Sequence, residues 1–201
     1  METPRPSLWR VRTDVAVSAH NARGMGGMSE LGLGRMAAFA GMLLLAVAIQ
    51  STLLAQATIL GVIPQLVLVL VVSLAFLDGE RVGTVMGFFG GLLIDMLLPN
   101  AIVGLTALIF TLLGYGVGLI RYMAPPDSVW TPVFAVAGAS AVAELGYAAL
   151  AIIMGQRWVS LSETVKIAGL VVLYNTLLTP FVFPLVRRVA DRFRPEKVYR
   201  W

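Results

Sequence analysis

Between Met36 and Leu185 the sequence passes through one long apolar stretch after another, with little charge inside any of them. A helix needs roughly 20 apolar residues to cross the hydrocarbon core of a bilayer. Six stretches meet or approach that length: Met36–Gln56, Ile59–Leu77, Val82–Leu98, Ile102–Arg121, Trp130–Met154 and Lys166–Leu185. A soluble domain carries about 25% charged residues. This chain of 201 residues carries 13%, at a mean hydropathy of +0.85. The fold class that follows is an all-α polytopic membrane protein with six transmembrane helices. Residues 1–34 read as a mostly disordered cytoplasmic tail, 35–189 as the membrane domain, and 190–201 as a basic cytoplasmic tail.

The second stretch carries Pro64 in its first turn, where the missing N–H has no helical partner in any case. A helix starting at Pro64 would be short. Asp78-Gly79-Glu80-Arg81 reads as a tight polar turn, Tyr122–Ser128 as a loop, and Gly155–Thr164 as an amphipathic connection carrying Trp158. A short helix is possible near Leu8–Ala22. Pro180 and Pro184 are expected to kink the end of the sixth stretch. Ala55-Gln56-Ala57 resembles a signal-peptidase site, but the apolar stretch before it exceeds a signal-peptide core, so the segment is expected to stay as a span.

An even number of spans puts both ends on one side. With both tails inside, the inner segments hold thirteen Lys and Arg, and the outer ones hold Arg157 and Lys166. Positive charge collects on the cytoplasmic side, so both termini are expected there. The basic run after Arg187 suits anionic lipid, and nothing points to nucleic acid. The chain has no Cys, and its one His, His20, lies in the tail. That removes thiolate chemistry, zinc ligation and a serine–histidine pair from the membrane. Asp95 is the only aspartate within a span, which excludes an aspartyl dyad. No catalytic, cofactor or metal residues are expected.

Two sets of residues remain as candidates. Gly83, Gly87 and Gly91 recur at every fourth position, with Asp95 as the next step, and Gly114 and Gly118 repeat the spacing on the following helix. Small residues let helix backbones approach in lipid, so the five glycines mark a packing or partner interface. Gly114-Tyr115-Gly116-Val117-Gly118 lies mid-helix with no preceding strand and is no nucleotide loop. The second set is polar. Counted at 1.5 Å per residue, Gln50, Asp95, Glu144 and Asn175 fall in one layer of the outer half-bilayer. Tyr147 lies one turn beyond Glu144. No Arg or Lys lies within the membrane interior to pair with the acids, so Glu144 needs hydrogen bonds or a proton. Asp95 is read either as a member of this network or as a helix-end residue meeting water.

Gly87-Phe88-Phe89-Gly90-Gly91-Leu92-Leu93-Ile94-Asp95, then Pro99, Gly104-Leu105-Thr106-Ala107-Leu108 and Leu113-Gly114-Tyr115, resembles the signature of the MreD family of bacterial rod shape-determining membrane proteins. The resemblance implies a noncatalytic component of the cell-elongation complex in the bacterial cytoplasmic membrane. It implies binding to the bitopic protein MreC, and through it to MreB filaments and peptidoglycan synthases. It also implies a six-helix fold similar to the substrate-binding components of energy-coupling-factor vitamin transporters. The alternative is a small-molecule transport subunit, although Pro99–Ala101 is too short to gate a pocket.

Overall fold

The structure, a computed structural model, describes residues 32–54, 56, 61–98, 102–123, 130–155 and 161–193. Six helices make up most of them: α1 (Gly32–Leu54), α2 (Leu66–Asp78), α3 (Glu80–Leu97), α4 (Leu105–Ile120), α5 (Trp130–Ile153) and α6 (Leu161–Arg192). The N-terminal tail, the Pro99-Asn100 joint, most of the Tyr122–Ser128 loop and the Trp158 segment lie outside the described residues. Four helices, α1, α4, α5 and α6, are long and apolar enough to cross a membrane. Of the others, α3 has 18 residues that include Glu80, Arg81 and Asp95, and α2 has 13.

The short helix holds the bundle together. Nine consecutive residues of α2, Val67 to Ala75, are buried, and it packs against α3, α4, α5 and α6. A helix that is apolar on every face belongs in a core. Its start moves from the expected Ile59 to Leu66, beyond Pro64, because proline cannot donate and pushes its predecessor out of helical geometry. At 1.5 Å per residue α2 spans about 20 Å, well short of a core about 30 Å thick.

Other boundaries shift for local reasons. The expected Asp78–Arg81 turn shrinks to Gly79, whose φ of 94° reverses the chain in one step; α3 starts at Glu80. At the α6 end, the expected connection is helical from Leu161, and the helix runs on to Arg192 with Pro180 and Pro184 inside it. The last turn of α1, Gln50–Leu54, widens to a π-helix, with the Ser51 and Thr52 hydroxyls donating to the Ala48 carbonyl.

One end of the bundle is pinned by charge. Arg35, at the start of α1, pairs with Asp78 at the end of α2 and lies over the Phe39 ring at 5.5 Å. Nearby, the Tyr122 hydroxyl donates to Glu80 at 3.2 Å. Asp95, Ser140 and Asn175, all buried, lie towards the other end.

Candidate functional site

The most intimate packing in the molecule is between α3 and α4, and the glycine row makes it. A Cβ on Gly83 would sit 2.8 Å from the Gly114 carbonyl carbon, and one on Gly87 2.7 Å from that of Phe110. One on Gly91 would sit 2.5 Å from Ala107 Cα, and one on Gly118 2.7 Å from the Gly79 carbonyl carbon. Real Cβ atoms do not approach backbone this closely, so only glycine fits. Each four-residue step along α3 meets a three- or four-residue step back along α4. The two helices are antiparallel in strict register, backbone against backbone.

The next step of that register brings Asp95 to the beginning of α4. Gly104 opens α4 with φ 95° and offers no side chain to cap it. Asp95 supplies the cap from the neighbouring helix. Its Oδ2 accepts the backbone N–H groups of Gly104 at 2.8 Å, Thr106 at 3.1 Å and Ala107 at 3.3 Å. Leu105 donates to the Ile102 carbonyl at 3.0 Å. The donors that a helix start leaves unpaired are thereby satisfied, and a negative group sits at the positive end of the helix dipole. Asp95 is 1% exposed, so the reading of an acid meeting water is replaced by a buried cap. Aspartate is short; it reaches α4 because the glycines hold the two backbones together.

A second helix start is satisfied in the same manner. At the beginning of α2, the Val67 N–H donates to Gln50 Oε1 at 2.9 Å, and the Gln65 N–H donates to Asn175 Oδ1 at 2.9 Å. Asn175 is fully buried, and its Nδ2 donates to Ser140 Oγ at 2.9 Å. The Gln65 side chain donates through Nε2 to Glu144 Oε1. Glu144 and Asn175 therefore meet through Gln65, and Gln50 joins them at the same helix start through the Val67 N–H. Neither Gln65 nor Ser140 stands out in the sequence, though a proline ahead of an apolar run, here Pro64, signals a helix start nearby. Tyr147 does not bond Glu144; its hydroxyl meets the Ile102 backbone, with Asp95 and Glu144 both close enough to act on it electrostatically.

Between these two capped helix starts lies a cavity of about 500 Å³. Gln50, Gln65, Glu144 and Tyr147 supply its main polar wall, and Ile94, Leu97, Ile109 and Phe110 are among its apolar lining. Among the described residues, no cluster of His, Asp and Glu could hold a metal ion.

The family model for MreD, described as rod shape-determining protein MreD, matches residues 33–189. The chain belongs to the MreD family. The match takes in all six helices, including the α3–α4 seam, its Asp95 cap and the α2 network. MreD membership places the chain among membrane proteins with a role in determining rod shape. No curated protein and no solved structure matches it.

Proposed function

We propose that this MreD-family chain is a noncatalytic membrane scaffold of the bacterial cell-elongation complex. It lies in the cytoplasmic membrane with all six helices within the bilayer and both termini cytoplasmic, in an arrangement similar to the substrate-binding components of energy-coupling-factor transporters. It binds an MreC-like single-span protein, and through it MreB filaments and peptidoglycan synthases, and so helps control peptidoglycan synthesis and cell shape. The observation that carries this reading is the family match over residues 33–189. Two structural features support it. The α3–α4 seam is a stiff, preformed platform, suited to holding partners rather than to turnover. Arg187, Arg188 and Arg192 are exposed on the last turns of α6, where each contributes about 1 kcal/mol of attraction to anionic lipid.

Photo-crosslinkers placed at lipid-facing sites such as Phe134 and Phe181, both exposed, test the reading in the native membrane. Capture of a single-span protein is the expected result. A chain that yields no protein adduct and instead copurifies with a vitamin is a transport subunit, and the scaffold reading falls.

A further inference from the structure

The cavity between the α2 and α4 starts has a wall chemistry that a scaffold does not use. Its volume of about 500 Å³ lies within the roughly 300–1,000 Å³ typical of small-molecule sites. Among the described residues lining it, Glu144 is the only charged one, and none is basic. One Glu144 oxygen takes the Gln65 amide; the other has no donor among the described residues. Asp95, close by and spent on α4, adds negative potential. Phe110 and Tyr147 contribute aromatic walls, which attract cations when a ring face is presented. The rest is mostly apolar. A carboxylate in such surroundings is costly unless it is paired. The helix-start N–H groups on either side are already taken by Asp95, Gln50 and Asn175, so an anion gains little here, and a neutral apolar molecule leaves the Glu144 oxygen unmatched.

We propose that this cavity binds the ammonium group of an amphiphile, its N–H donors on Glu144 and its apolar body against Leu97, Leu98 and Ile109. Two sources carry that chemistry, the headgroup of an ethanolamine phospholipid and a free alkylamine.

The test uses the full chain in nanodiscs of phosphatidylglycerol alone, titrated with octylammonium, octanol and octyl sulfate, with binding read from tyrosine and tryptophan fluorescence and from thermal stability. Octylammonium should saturate one site per chain, and the other two should not. Glu144→Gln should weaken octylammonium about tenfold or more, the loss expected for one hydrogen bond to a charged group. Adding phosphatidylethanolamine identifies the source: one retained lipid per chain by native mass spectrometry, with octylammonium excluded, assigns the lipid, and undiminished octylammonium binding assigns the free amine. Octanol binding as tightly as octylammonium overturns the proposal, because the cavity is then an apolar void. Equal octylammonium affinity in wild type and Glu144→Gln does the same. So does a carbodiimide crosslink from Glu144 to a lysine of another protein that octylammonium fails to prevent. If Glu144→Gln does not fold, selectivity among the three octyl probes on the wild-type chain still decides.

Discussion

Asp95 does for α4 what a capping side chain usually does for its own helix. Losing a cap costs about 0.5–2 kcal/mol, and the cost should lie at the upper end here because no water replaces the carboxylate at a site 1% exposed. Asp95→Ala should therefore lower stability by about 2 kcal/mol in chemical denaturation from detergent. Asp95→Asn keeps one acceptor oxygen and should lose less. Two variants as stable as wild type would show that the cap contributes nothing. The sequence shows Asp95 as an acid one step past a glycine row. It does not show the partner, because that partner is backbone, and backbone donors look the same at every position. Gln65 escapes notice for a related reason: its role depends on where α2 begins, and Pro64 moves that start.

At the scale of the helix pair, the seam demands glycine on α4 only at Gly114 and Gly118. Gly87 faces the backbone of Phe110, so the residue opposite a glycine need not be small. This is why the glycine spacing is legible on α3 while the match on α4 is only half visible, at Gly114 and Gly118. Gly87→Ala should clash with fixed backbone and cost about 1–3 kcal/mol, as overpacking does. Gly138 on α5 has open space where its Cβ would stand, so Gly138→Ala should be neutral or stabilising by up to about 1 kcal/mol through helix propensity. Thermal melts of the two variants in one detergent compare them directly, and equal tolerance would remove the seam from the account.

For the whole molecule, the apolar runs give the number and order of the helices, because a stretch without charge has few alternatives in lipid. They overstate α2, whose length is set by proline and by polar partners on other helices rather than by its own hydropathy. The Arg35–Asp78 pair and the Tyr122–Glu80 contact gather the ends of α1, α2, α3 and α4 on one side, as alternating spans require. Reporter fusions after Arg81, Arg121 and Trp201 should read cytoplasm, and one after Gln156 the opposite side; a periplasmic reading at Trp201 would refute the topology. The short central helix also bears on how the chain is made. The N–H of Gln65, the residue that caps the start of α2, is satisfied by a side chain 110 residues further on. A ribosome therefore releases α2 into the membrane long before its partner exists. During that interval, the insertion machinery or water must shelter the open helix end. Only when α6 arrives does the first third of the chain become self-sufficient, so a nascent chain that stops early carries its own mark of incompleteness.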